Sequence, residues 1–260
     1  VIFAVGILML LVASAIIFAN ERFHILRCDD FPNLGAKIFA YVWLAIFLVI
    51  VGTATAYSAA NPPTAQQLAK ASFAGFFLLH LIIVVFLLGW WLATRRPSIG
   101  TFLNIPKSGN GEAVMAGFAI GLGGWVVTIV MALLVALILK GAGLLPNKME
   151  PPALIAYMAG QAWWKKALIV LSAMTVEEAF FRGFLQKRLG LIASTVLFAV
   201  AHAGYAQPML LVGVTIISLI IGTAFYRTKN LIPGVVAHGV FDAVQLFVII
   251  PVAFRLSGLS

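Results

Sequence analysis

Glu177-Glu178-Ala179-Phe180-Phe181-Arg182 places three charges inside a run otherwise fit for lipid, and this placement decides how the remaining sequence is read. A charged side chain near a bilayer centre costs at least about 2.5 to 3.5 kcal/mol on insertion scales, so such a cluster marks a functional site by default. The protein has only eight Asp and Glu residues, and two of them stand here. Hydrophobic residues make up 63% of the 260 and charged residues 10%, against roughly 25% charged in soluble domains. The chain is therefore read as a polytopic membrane protein. Its 17 Lys and Arg give a formal net charge of +9, but they fall in short gaps between apolar runs. There they set orientation in a membrane rather than bind nucleic acid. The single cysteine, Cys28, offers neither an internal disulfide nor a zinc-knuckle pattern.

A spanning helix needs about 20 apolar residues. Runs near 1–19, 38–60, 72–93, 113–139, 167–189, 191–204, 208–226 and 231–252 predict an all-α membrane bundle of about eight transmembrane helices. The sixth is short, as a helix buried among others can be. Pro151 to Trp164 reads as an interfacial helix or a re-entrant piece, and Trp90, Trp91, Trp163 and Trp164 fall at run ends as an aromatic belt would. Gly117-x-x-x-Gly121, followed by Gly123 and Gly124, predicts close helix packing. The gaps after helices one, three, five and seven hold Arg22, Arg27, Lys37, Arg95, Arg96, Lys107, Lys187, Arg188, Arg227 and Lys229. The opposite side holds only Lys70, Lys140, Lys148, Lys165, Lys166 and Arg255, which puts the first group in the cytoplasm.

A rise of about 1.5 Å per residue allows the depths of the embedded polar groups to be compared. Counted from the cation-rich side, Glu177, His202 and Asp242 each lie roughly 16 to 18 Å deep, and His238 about 10 to 12 Å. Glu178 and Arg182 are an i, i+4 pair in the order that favours a salt bridge. One reading has this pair fixing the helix while Glu177, one residue round, serves as general base; the other has Arg182 merely snorkelling to the interface. Phe198 with His202, and His238 with Asp242, are likewise i, i+4 pairs on single faces. His80, alone in an apolar run, reads as a packed and hydrogen-bonded histidine. Ser172 and Thr175 lack the glycine motif expected around a nucleophilic serine.

Glu177-Glu178-x-x-x-Arg182, Phe198-x-x-x-His202 and His238-x-x-x-Asp242, in this order on successive helices, resemble the three motifs of the CAAX protease and bacteriocin-processing enzymes. These are the CPBP or Abi-type intramembrane endopeptidases, related to the CAAX prenyl endopeptidase. The resemblance covers roughly residues 113–252, a catalytic core. Residues 1–112 are membrane helices of unassigned role, and 253–260 form a tail. By this resemblance Glu177 and His202 would activate a water, Glu178 and Arg182 would support the site, and His238 with Asp242 would steady the oxyanion. Asp242 stands where such enzymes often have Asn, so orienting His238 is its alternative role. Zinc dependence stays open; with zinc, Glu177, His202 and His238 would be the ligands.

The expected activity is hydrolysis of a peptide bond within the bilayer, on a peptide or protein substrate that is membrane-anchored or lipidated in one version. The expected location is the plasma membrane of a bacterium or archaeon. The competing reading is a proton-coupled transporter or channel using the same residues as a relay, against which stands the lack of an inverted repeat or paired broken helices. A silent membrane scaffold is a third.

Overall fold

The computed structural model describes residues 2–23, 30–145, 151–205 and 207–256. Cys28, Arg27 and Lys148 lie outside the described residues. The chain is a multi-pass integral membrane protein, and among the described residues it is built from helices without strands. It begins with α1 (Ile2–Phe23), α2 (Leu34–Ala60), α3 (Ala65–Lys70) and α4 (Leu78–Ala93), the last entered through a 3-10 turn at Phe73–Phe77. After α5 (Ile99–Leu103) come α6 (Asn110–Gly141), α7 (Ala153–Ala159) and α8 (Trp163–Ser172). Side-chain caps start several of these: Asn33 accepts from the Ala36 amide at 2.9 Å, and Thr64 with Gln67 closes a capping box. The segment read as interfacial or re-entrant holds α7, whose Tyr157 stacks on Phe76 at 5.6 Å between ring centroids.

α8 runs into two π-helical stretches, Ala173–Glu177 and Ala179–Gln186, and then into α9 (Lys187–Ala201). Gly190 breaks α9 with φ 83° and ψ 175°, a conformation open to glycine alone at little strain. Among the described residues, seven helices are long and apolar enough to cross a membrane, and one of them, Trp163–Tyr205, has 43 residues. Straight, it would reach about 65 Å at 1.5 Å per residue, more than twice a hydrocarbon core of about 30 Å. It folds back on itself at Gly190 instead. Ser194 Oγ donates to the Phe181 carbonyl at 2.6 Å and the Phe181 and Phe198 rings meet at 4.8 Å, so the limbs run antiparallel. Taken as two limbs, this element makes the bundle consistent with roughly eight spans. α10 (Pro208–Thr228), α11 (Leu231–Ala243), a π-helical turn at Val244–Ile249 and α12 (Ile250–Leu256) complete the bundle.

The glycine row on α6 does what its spacing predicts. A Cβ on Gly117 would stand 2.5 Å from Val236 Cβ, and one on Gly121 would stand 2.8 Å from the Ala237 carbonyl, both on α11. A Cβ on Gly124 would stand 2.9 Å from Ile217 Cδ1 of α10, whereas one on Gly123 would meet nothing within 4 Å. Replacing Gly121 by Leu is therefore expected to lower the thermal unfolding temperature in detergent by several degrees, from about 1 to 3 kcal/mol of overpacking. Gly123→Leu should leave it unchanged; equal melting of the two variants would count against the packing argument.

α2 and α4 pack on the π-helical limb through aromatic rings. Phe47 stacks on Phe86 at 4.0 Å, and Phe86 meets Phe184 at 5.2 Å. Trp90 departs from the aromatic-belt reading: it is 1% exposed, against Phe184 at 5.2 Å with the Arg188 guanidinium 5.8 Å from its ring. A run end met by other helices is core, whatever its distance from the headgroups. Trp163 and Trp164 remain exposed, as a belt requires.

Candidate active site

Two carboxylates adjacent in sequence are given opposite surroundings by the π-helical limb, a distortion that recurs at functional sites. Glu178 and Arg182 are sealed, their side chains 0% and 1% exposed. Arg182 Nη1 donates to Glu178 Oε1 at 2.7 Å, and Nη2 donates to the Ser218 hydroxyl at 3.0 Å and carbonyl at 3.2 Å on α10. Its guanidinium lies 4.7 Å from the Phe198 ring centroid. Arg182 does not snorkel; it is the buried partner of Glu178. Close backbone approach makes room for the pair: a Cβ on Gly234 of α11 would stand 3.1 Å from Glu178 Oε2.

Glu177 is less enclosed, with 15% of its side chain exposed. Its Oε1 lies 3.2 Å from His80 Nε2, and its Oε2 lies 3.8 Å from His202 Nε2, beyond hydrogen-bond range. His202 Nδ1 is 2.8 Å from the Phe198 carbonyl, which can only accept, so that nitrogen carries the proton and Nε2 faces Glu177. His238 sits between two carboxylates, with Nδ1 2.9 Å from Glu178 Oε1 and Nε2 3.3 Å from Asp242 Oδ2. The Phe198 ring separates the imidazoles, 4.5 Å from His202 and 5.9 Å from His238. The ring of Tyr205 lies 5.5 Å from that of His202.

The six polar residues of the motifs thus come together: Glu177 against His202 on one side, and Arg182, Glu178, His238 and Asp242 as a continuous chain on the other. The suggested zinc ligands Glu177, His202 and His238 do not close on one point, because His238 turns its nitrogens to Glu178 and Asp242. Among the described residues no group of three or more His, Cys, Asp or Glu side chains is arranged to hold a metal ion. Two further residues join the site. His80 of α4 bonds Glu177, and its Nδ1 lies 2.6 Å from Ser172 Oγ. A depth count would have flagged His80, since it lies 13 residues before the end of α4 at Ala93, roughly 20 Å, near the depth of Glu177.

Residues 159–244 match a family model described as type II CAAX prenyl endopeptidase Rce1-like. This agrees with the resemblance carried by the three motifs, all of which fall inside the match, while His80 falls outside it. A Bacillus subtilis (strain 168) protein, the uncharacterized protein YpbD, is 41% identical over 69 residues, which are 26% of this chain and 36% of that protein. The similarity thus spans about a third of the curated relative's length. No solved structure matches the chain.

Proposed function

We propose, from the Rce1-like match of residues 159–244 and the cluster built on it, that the protein is an intramembrane endopeptidase. The observation that carries this reading is the pair Glu177 Oε2 and His202 Nε2, 3.8 Å apart; with the imidazole neutral and its proton on Nδ1, both can accept. A water about 2.8 Å from each can donate one hydrogen to each. As its oxygen bonds to the scissile carbonyl carbon, Glu177 takes the proton and the carbonyl oxygen takes up the electron pair. Collapse of that oxyanion breaks the C–N bond, and the proton on Glu177 passes to the leaving nitrogen, giving a carboxyl and an amine.

His238 is the nearest candidate for steadying the oxyanion, which requires its Nε2–H to turn from Asp242, the residue that orients the ring at rest. Glu178 and Arg182 hold the other side of His238 and keep the helix in place. The substrate is a peptide or protein whose scissile bond enters the bilayer, a demand that favours membrane-anchored or lipidated chains.

The test is cleavage by the purified protein of a prenylated CAAX-type peptide and of its unlipidated copy. Loss of cleavage in both Glu177→Ala and His202→Ala is expected, and unimpaired cleavage in both would sink the assignment. Activity is expected to survive chelator treatment, since both His238 nitrogens are turned to carboxylates. Proton flux in liposomes that Glu177→Gln removed, with no peptide cleaved, would assign the cluster to a relay instead.

A further inference from the structure

His80 lies in the half of the chain that no motif covers and outside the matched residues 159–244, yet it touches the carboxylate at the centre of the site. Its Nε2 is 3.2 Å from Glu177 Oε1 and its Nδ1 is 2.6 Å from Ser172 Oγ. An ionised carboxylate only accepts, so Nε2 donates; Nδ1 then presents its lone pair, and the Ser172 hydroxyl donates to it. Serine and threonine in helices commonly return their hydroxyl to a carbonyl one turn back, as Thr175 does to Leu171 at 2.7 Å. Ser172 instead reaches across to α4. That α4 is fixed by packing follows from Ile83 and Phe86, one and two turns on, which are buried in the aromatic core shared with Phe180 and Phe184.

The consequence falls on Glu177. With Oε1 tied to His80, the carboxylate cannot rotate freely, and Oε2 is left buried, without a hydrogen-bond partner, aimed at His202. We infer that His80, with its tautomer set by the Glu177 carboxylate and its ring held at Nδ1 by the Ser172 hydroxyl, is the positioning residue that aims Glu177, so that the N-terminal helices complete the site. This rests on the reading of Glu177 as the general base. Groups that orient a reacting side chain in this way are typically worth about 10- to 100-fold in activity.

Cleavage of one peptide by wild type, His80→Leu, His80→Gln, Ser172→Ala and Glu177→Gln tests the inference, with unfolding temperature measured for each. His80→Leu is expected to lose about 10- to 100-fold in kcat with KM nearly unchanged. His80→Gln, whose side-chain amide reaches the position of Nε2–H, should recover most of that loss. Ser172→Ala, which frees Nδ1 but leaves Nε2–H on Glu177, should show a smaller fall in kcat.

Wild-type kcat in His80→Leu alongside an inactive Glu177→Gln overturns the inference and leaves the base reading intact. Full activity in Glu177→Gln removes the base reading itself. His80→Gln no better than His80→Leu excludes aiming by a donated hydrogen bond. If His80→Leu does not fold, an unchanged kcat in Ser172→Ala overturns the proposal. The serine, histidine and glutamate also stand in the order of a nucleophilic triad. Labelling by a fluorophosphonate that is lost in Ser172→Ala would make Ser172 a nucleophile and overturn the positioning role.

Discussion

Glu177→Gln is expected to lower peptide cleavage by about 10²- to 10⁴-fold, the usual contribution of a general base, while leaving the unfolding temperature unchanged or slightly raised. Glutamine has the same shape, so its carbonyl oxygen can accept from His80 Nε2 where Glu177 Oε1 now does, at 3.2 Å. Its amide can turn a donor toward His202 Nε2, which the carboxylate at 3.8 Å cannot do. Position is kept and basicity is lost. Initial rates on purified protein check the first half, and thermal melts in detergent check the second. A variant that cleaves within a few fold of wild type would remove Glu177 from the chemistry however well it is placed.

The largest loss of stability is expected at the sealed pair. Arg182→Met would leave the Glu178 carboxylate buried at 0% exposure without its counter-charge, and breaking such a pair typically costs about 3 to 5 kcal/mol. Against a total stability of roughly 5 to 15 kcal/mol, that is a large fraction, so a low yield of folded protein and a markedly reduced unfolding temperature should follow. The double variant Glu178→Leu with Arg182→Met should regain much of the stability, because neither charge is then stranded. It should not regain activity, since His238 Nδ1 would have lost the oxygen it meets at 2.9 Å. A double variant as unstable as Arg182→Met would show that the pair does more than neutralise itself. One that cleaved normally would show that His238 does not need Glu178.

These two predictions concern neighbouring carboxylates that the sequence distinguishes only by register. The pairing of Glu178 with Arg182 was legible because four residues separate them on one helix, and the short local bond at 2.7 Å follows. The same i, i+4 logic placed His238 beside Asp242, at 3.3 Å. Convergence of three helices on Phe198 was only suggested, by a shared depth in the membrane; rotation of each helix about its axis had to come from packing. Trp90 illustrates the limit. Its position at the end of an apolar run fits an interface as well as a core, and only the arrival of Phe184 and Arg188 decides between them.

By itself, then, the sequence determined the membrane, a bundle of roughly eight spans and close helix packing along the glycine row of α6. A spanning helix must be apolar for about 20 residues, and a helix crossing at short distance must lack side chains. It also singled out Glu177, Glu178 and Arg182 as internal charges, because lipid makes them rare enough to stand out, though Arg188, read as a gap cation, is buried against Phe184 as well. What only the tertiary structure decided is the company Glu177 keeps. His80 is 97 residues away in sequence, and its depth in the apolar run matches Glu177 without showing which way its ring faces. The aromatic packing of α4 onto the π-helical limb brings it there, and long-range contacts of that kind leave no periodicity to read. The opening stretch names the charges, but the fold decides which of the two glutamates is sealed against Arg182 and His238 and which is turned toward His202.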